Sequence, residues 1–469
     1  MATEAELAII GAGPAGIAAA LTAATAGVQV VLVDAQPRPG GQYFRQAPGA
    51  AAAEALPVRQ LGASPVCVMT DTLVWGVFPA AAGTGWELML SGPQAPSRLW
   101  ARVLILATGA YDRPIPFPGW TLPGVMTAGG VQAFLKGQGR LPGRRFLLSG
   151  TGPLQVAVAA NLVQAGAEVV AVLEAARLDW RAARHVAALW GQWPRLAEGL
   201  RYWRALRAAR VSLRTGWSVI AARGRGQVEE AVICRLDDAG RPIADSAETV
   251  AVDTIAIGYG LIPSTEVSRL LGCVHELRMD RGGYVPRRDA EMRTSLPGVY
   301  AVGDGAGIGG AELAQIEGRI AGLAAARELG HLSAAEAGAR IRREQPGLAR
   351  QQRFAAMLAA LFAPRPGLYG LADDDTIICR CEEVTLGALR RAVAEGAADV
   401  NEVKGLTRAG MGYCQGRICG ELIGRIIAAT LSRADDMAAL RAAGCFTARP
   451  PLHPLPMATL IALAEEVGD

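Results

Sequence analysis

The apolar positions of this chain fall into short blocks set off by glycine turns. Leu7-Ala-Ile-Ile10 reads as a strand, Gly11-Ala-Gly13-Pro-Ala-Gly16 as a turn, and the alanine-rich stretch to about Ala26 as a helix. Val28-Gln-Val-Val-Leu-Val33 is a second strand and ends at Asp34. The pattern returns at Arg145-Phe-Leu-Leu-Ser149, followed by the turn Gly150-Thr-Gly152-Pro-Leu-Gln155, a helix, the strand Val169–Leu173 and Glu174. Thr294-Ser-Leu-Pro-Gly-Val-Tyr-Ala-Val-Gly-Asp304 reads as a turn, a strand and an acid, then a glycine-rich segment before a helix from about Ala311. Beyond Asp373 the spacing predicts short helices. Thr385 caps one through Leu386–Ala394 that Gly396 stops, Asn401–Thr407 is a second, and Gly420–Leu431 an apolar third. No uninterrupted apolar run reaches the roughly eighteen residues of a membrane span.

The first block is a βαβ unit with the G-x-G-x-x-G spacing. Gly11 makes the tight turn, Gly13 admits a pyrophosphate to the backbone, and Gly16 lets helix and strand pack closely. The helix N-terminus offers N–H groups to phosphate, and Asp34 stands where an acid accepts from ribose hydroxyls. The second block is a weaker copy. Gly150, Gly152 and Glu174 are its candidate nucleotide contacts, and Glu174 favours NADH over NADPH. Gln155 replaces the third small residue, so its side chain must be accommodated where helix and strand touch. The competing reading is a retained structural domain whose nucleotide is absent or different.

Half of the eight cysteines lie near the C-terminus as Cys379-x-Cys381 and Cys414-x4-Cys419. Four thiolates at two close spacings suit an iron–sulfur cluster. Zinc is the competing metal, but structural zinc sites usually space their cysteines by about two to four residues. Buried thiols or disulfides are the third reading. Cations near the ligands raise a cluster's potential, and Arg380, Lys404, Arg408 and Arg417 are the candidates.

Composition removes several classes. The 469 residues carry a net charge of +4, small for a nucleic-acid binder of this length. Eight arginines and four tryptophans crowd Arg177–Arg210, which reads as an amphipathic excursion of the inserted domain or a docking face for a partner subunit. The acidic start Met1-Ala-Thr-Glu-Ala-Glu6 runs straight into a strand, unlike a secretory signal. With Cys67, Cys234, Cys273 and Cys445 scattered singly, a reducing cytoplasm is expected, and membrane association only through partners. The four histidines, His185, His275, His331 and His453, form no ligand spacing, and no general base for substrate chemistry stands out.

Leu106-Ala-Thr-Gly109 with Thr294–Asp304 resembles the two-dinucleotide flavoprotein reductases, the glutathione- and thioredoxin-reductase-like superfamily. The fold that this implies is α/β with nested Rossmann-type domains, and the first cofactor is FAD. On that resemblance the FAD contacts are Gly11, Gly13, Pro14, Ala15, Gly16, Asp34, Gly41, Gln42, Ala107, Thr108, Gly109, Gly303, Asp304, Gly310 and Ala311. Asp304 would bind the ribityl chain, and the helix from Gly310 would face the isoalloxazine ring. The superfamily's redox-active cysteine pair is missing outside 379–419. The C-terminal module resembles the small helical bacterioferritin-associated-ferredoxin-like domain, with a 2Fe–2S cluster on Cys379, Cys381, Cys414 and Cys419. That domain usually has C-x-x-C as its second pair, where this chain has C-x4-C.

The expected domains are 1–120 with 255–345 for FAD, 121–254 as the inserted NAD(P)-like domain, 346–372 as linker, 373–432 for the cluster, and 433–469 as tail. With the runs Ala107–Gly124 and Arg449–Pro456, nearly the whole chain resembles the large (α) flavoprotein subunit of opine oxidases, D-hydroxyproline and L-proline dehydrogenases, and hydrogen cyanide synthase. The resemblance implies a β subunit like D-amino-acid oxidase, which oxidises the amine. It also admits a small ferredoxin-like γ subunit, and an FMN at an interface between subunits, which would leave no motif. The expected role is electron transfer through FAD and cluster. A self-sufficient NADH-dependent reductase is the rival, and a nucleotide-clamped scaffold is a third reading.

Overall fold

The computed structural model describes residues 4–45, 55–80, 83–177, 180–431 and 437–461, the side chains of 180–183 excepted. The chain divides into two compact units: Met1–Ala110 with Pro263–Ala355 and Thr447–Asp469, and Tyr111–Ile262 with Ala356–Phe446.

In the first unit, largely buried apolar strands build a parallel sheet in the order Cys67–Met69, Val30–Val33, Glu4–Ile10, Arg98–Leu106, Val299–Ala301. An antiparallel pair, Trp86–Ser91 and Leu73–Pro79, extends from Arg98–Leu106. Register aligns the strand ends: Ile10 lies opposite Val33 and Leu106, and Ala301 opposite Leu106. The turns after these four strands therefore emerge together at the carboxyl edge, where open α/β sheets bind their ligands.

Helices Pro14–Thr25 and Ala311–Glu328 pack almost backbone to backbone. A Cβ at Gly318 would sit 2.2 Å from the Ala15 carbonyl oxygen, and one at Gly322 would sit 2.7 Å from that of Ala19. Beside this contact Glu317, 0% exposed, takes both guanidinium nitrogens of Arg288 (2.6 and 2.9 Å) and the Gly303 N–H at 2.9 Å.

The second unit holds a parallel sheet in the order Ser212–Thr215, Glu168–Glu174, Arg145–Gly150, Thr254–Gly258, Val125–Thr127, and an antiparallel sheet of Trp217–Arg223, Glu230–Arg235 and Glu248–Ala251. It also holds the cysteine module: the hairpin Ile377–Cys379/Val384–Thr385 and helices Leu386–Ala394, Val400–Thr407, Gly420–Leu431 and Met437–Ala443. Thr385 and Asp399 cap two of these helices through their side-chain oxygens, as Ser, Thr and Asp do at N-caps.

The expected linker 346–372 is structured over much of its length. Its first part belongs to the helix Ala334–Leu361, and the turn Pro366–Gly370 buries Leu368 in the core of the second unit. That unit begins at Tyr111, ahead of the insertion point expected at 121, because Ile115, Phe117 and Trp120 belong to the same core.

Removing one partner of a buried ion pair strands a charge, at a cost of about 3–5 kcal/mol. Arg288→Met is expected to lower the unfolding temperature markedly, and the double change Arg288→Met/Glu317→Leu to recover most of the loss. Thermal denaturation followed by circular dichroism checks both.

Candidate functional site

In the first unit, four stretches far apart in sequence converge on the carboxyl edge of the sheet. Gly11 has φ of 107°, and a Cβ there would lie 2.3 Å from the Ala107 carbonyl oxygen, so both turn and contact require glycine. Asp34 accepts from the N–H groups of Ala12 (2.5 Å) and Gln36 (2.7 Å), and burial pushes its pKa up despite both bonds. Gly41 lies against Gly13, where a Cβ on Gly41 would be 2.9 Å from the Gly13 Cα. Pro14 and Ala15 open the helix, and Gln42 lies exposed in the turn that follows Gly41.

Thr108 donates to the Ser264 carbonyl at 2.6 Å, and Gly305 packs on that hydroxyl. Asp304 accepts from the N–H groups of Gly309 (2.9 Å) and Gly310 (3.0 Å), which ties its loop to the helix that starts at Ala311. Burial raises the Asp304 pKa, and Glu317 adds to the rise. Nothing lies within 4 Å of where a Cβ on Gly109 would point. A glycine-lined cradle, a helix N-terminus and two carboxylates at strand ends suit a dinucleotide's phosphates and hydroxyls.

The second unit repeats this geometry. Glu174 accepts from the N–H groups of Gly152 and Ala176, both at 2.8 Å, as Asp34 does from Ala12 and Gln36. Gln155 is accommodated inward: its amide donates to the Gly258 carbonyl at 2.9 Å and the Ser149 carbonyl at 3.4 Å, tying the helix to two strands. The amide therefore takes over the close packing that a third glycine would supply. Thr151 Oγ1 and Gln155 Oε1 are buried with no hydrogen-bond partner among the described residues.

The four cysteines of the C-terminal module come together. Thiol hydrogen bonds run from Cys419 to Cys379 and to Cys414, and from Cys381 to Cys414. Cys379 is lowered to about 6 and Cys414 to about 5, in each case chiefly by the Cys419 thiol donating to them. Cys419 is pushed far up because those two neighbours hold its proton, and Cys381 is raised by desolvation first. Among the described residues no group of three or more His, Cys, Asp or Glu side chains is set to hold a metal ion. The hydrogen bonds link all four thiols, in the order 379–419–414–381. Four thiols linked in this way are a ligand set of the kind that holds an iron–sulfur centre.

The structure sorts the four cations. Arg417 is buried between the second pair of cysteines, with Nε donating to the Tyr111 hydroxyl at 2.9 Å and Nη1 to the Cys414 carbonyl at 3.2 Å. Arg380 stacks over Trp120 and Lys404 over Phe446, at 5.1 and 5.3 Å. Arg408 points outward and pairs with Glu382 at 3.0 Å.

Several residues away from the thiols build this site. Arg113 and Arg425 both bind the half-buried Glu421, at 2.9 and 3.0 Å. Trp120 donates to the Ile377 carbonyl at 2.6 Å, two residues before Cys379. Gly410 donates its N–H to Cys379 Sγ at 3.4 Å, as glycines beside cluster ligands are expected to do. The run of glycines has a second cause: Cβ atoms at Gly410, Gly416 and Gly420 would lie 2.6, 2.3 and 3.2 Å from the Phe446 ring.

The arginine- and tryptophan-rich segment includes the helix Trp193–Ala208, which buries Leu206 and exposes Trp193, Leu196, Leu200 and Trp203. The side chain of Trp180 lies outside the described residues. No helix among the described residues is long and apolar enough to cross a membrane.

Known proteins share these two parts. The family model for pyridine nucleotide-disulphide oxidoreductases matches residues 5–330, and that for the BFD-like 2Fe-2S binding domain matches 377–429. One opine oxidase subunit, from Rhizobium meliloti (strain 1021), is 36% identical, across 97% of this chain and 98% of its own. Hydrogen cyanide synthase subunit HcnB of Pseudomonas aeruginosa is 37% identical, across 88% and 90%. L-proline dehydrogenase from P. horikoshii has the same fold, with a TM-score of 0.67 at 20% identity over 97% of this chain and 79% of that one. T. acidophilum thioredoxin reductase matches 70% of this chain and 99% of its own, with a TM-score of 0.51 at 19% identity.

Glu174 is buried enough for its pKa to rise to about 7 against an ordinary value of 4.5. Between those values the unfolded chain loses the proton that the folded chain keeps, so stability falls as pH rises from about 4.5 to about 7. Glu174→Gln is expected to remove that fall, read as the difference between variant and parent in urea unfolding across the window.

Proposed function

Because the chain belongs to the pyridine nucleotide-disulphide oxidoreductases, and among them to the family of the Rhizobium opine oxidase subunit, we propose that it is the electron-transferring subunit of a heteromeric amino-acid or opine dehydrogenase. It is a flavin oxidoreductase subunit with a 2Fe-2S domain. The observation that carries the proposal is the pairing of an FAD-type cradle with a chain of four thiols, and no cysteine pair beside the cradle. Among the described residues of the first unit the cysteines are Cys67, which is exposed, and Cys273, which is buried, each alone.

In this reading Gly11, Gly13, Gly16 and Asp34, with 107–109 and Asp304, hold FAD, and Cys379, Cys381, Cys414 and Cys419 hold the cluster. FAD would handle electron pairs and the cluster single electrons. The chain's own residues hold phosphate through backbone N–H groups and shield Cys379 and Cys419 from solvent, while Arg417 offsets the charge of the thiolates. Amine oxidation belongs to a partner subunit resembling D-amino-acid oxidase, and an interfacial FMN and a ferredoxin-like third subunit are further components. Two of the relatives are themselves named as subunits.

A second reading, direct reduction by NADH, has one observation in its favour: the Gly152/Glu174 geometry matches the Ala12/Asp34 geometry, and Gln155 does not obstruct it. An anaerobic spectrum of the purified chain separates the two. The proposal expects no bleaching of the flavin band with NADH or NADPH and full bleaching with dithionite; rapid bleaching with NADH would hand the lead to the reductase reading.

Arg417 provides an independent check. Removing a buried cation held at the Cys414 carbonyl disfavours the reduced, more negative cluster. Arg417→Gln is expected to lower the midpoint potential in an EPR-monitored redox titration, whereas Arg408→Gln, on the exposed side, leaves it unchanged.

A further inference from the structure

The helix Trp193–Ala208 has two faces of different kinds. On one, Tyr202, Ala205 and Leu206 pack with the helix Pro153–Gln164 in a shared apolar core, where Leu206 is fully buried. On the other stand Trp193, Leu196, Leu200 and Trp203, spaced by three and four residues and all exposed. The stripe runs on ahead of the helix: Trp190, 76% exposed, meets Trp193, 60% exposed, edge to face at 5.6 Å. Single apolar side chains are ordinary on a surface, but a contiguous run of five is not.

The polar groups beside this stripe are of one kind. Between Arg184 and Arg210 there are six arginines and one acid. That acid, Glu198, is half-buried and already takes the Tyr202 hydroxyl at 2.6 Å and Arg201 at 3.5 Å. Every exposed side chain from Trp193 to Arg210 is tryptophan, proline, leucine, alanine or arginine. Indole and guanidinium only donate hydrogen bonds, so no side chain exposed on this face accepts one. The Arg207 guanidinium lies over the Trp203 ring at 5.2 Å, which sets a cation among the apolar groups.

Charge and donor chemistry select the occupant. A second copy of the chain would set like charge against like charge. A protein partner would have to bring every acceptor itself. A nucleic acid brings acceptors but no apolar layer for Leu196 and Leu200. An anionic phospholipid surface supplies both, with phosphate oxygens above and hydrocarbon just below. Helices carrying arginine with tryptophan and leucine lie in that boundary, and indoles concentrate at its polar edge.

We propose that the ridge Trp190–Trp203 is the seat of an anionic phospholipid surface, on which the helix Trp193–Ala208 lies flat. The chain rests on the membrane there and does not cross it. The sequence alone points to membrane contact only through partners; this face gives the chain a contact of its own. The inference goes beyond the electron-transfer reading and does not rest on it.

The test uses the purified full chain with its cofactors and no partner. It is spun at low salt with vesicles of phosphatidylcholine and phosphatidylglycerol, and with vesicles of phosphatidylcholine alone. The chain is expected on the anionic vesicles and free of the neutral ones. Each arginine near such a surface contributes about fivefold to binding, so Arg204→Gln/Arg207→Gln is expected to weaken it by about thirtyfold. Trp193→Ser/Leu200→Ser should weaken it by at least about tenfold, through lost apolar area. Added salt should release the parent chain. All four side chains are exposed, so circular dichroism and the unfolding temperature should stay as in the parent.

A parent chain that stays in solution beside anionic vesicles overturns the proposal. So does binding that survives both variants, which would place the contact elsewhere. If the variants release a partner subunit from the whole complex while binding vesicles as the parent does, the face is a subunit interface and the proposal fails. A chain without flavin or cluster absorbance would sink the electron-transfer reading and leave vesicle binding to decide this one.

Discussion

The first unit depends on how near two helices can come. Ala15 and Ala19 on Pro14–Thr25 meet Gly318 and Gly322 on Ala311–Glu328, leaving no room for a single added carbon. One helix starts from the Gly11 turn and the other from the Gly310 turn, so the spacing of the helices sets the spacing of the two loops. Glu317 faces the same region, and its bonds to Arg288 and the Gly303 N–H fix the turn that carries Asp304. Close packing of small residues, a buried ion pair and a ligand cradle are one mechanical unit here.

The second unit solves a different problem. A module with a small core has little apolar area of its own to bury. It gains more by sharing a surface with the inserted sheet through Trp120, Tyr111 and Arg113, all within the stretch that precedes that sheet. The Arg113–Glu421–Arg425 group places a carboxylate at the start of the helix that follows Cys419, where the helix dipole favours negative charge. Tyr111 holds Arg417, so the stretch 111–120 reaches the ligand loop as well as the hairpin.

What the sequence disclosed, and what it hid, follows from the range of the interactions. Glycine turns, strand-end acids and helix caps are local, and so Gly11–Asp34, Thr385 and the limits Leu386–Ala394 could be read directly. The clustering of the four cysteines was legible from their spacing together with a resemblance. Gln155 was noticed as a departure, but the carbonyls that receive its amide come from strands that the sequence does not place beside it. The contacts of Arg113 and Phe446 could not be read, because their partners lie far away along the chain. The expected linker 346–372 carries no motif that would show its burial. Much of it is helix, and Leu368 is buried.

Phe446 redraws where the cysteine module ends. Its ring occupies the volume vacated by three glycines, and the helix Met437–Ala443 just ahead of it lies along Gly420–Leu431. A fragment cut after residue 432, where the apolar pattern stops, would keep every thiol and yet have a hole at its centre. The self-sufficient piece of this architecture reaches at least to Phe446. Its last contribution to the site is thus a plug and not a ligand.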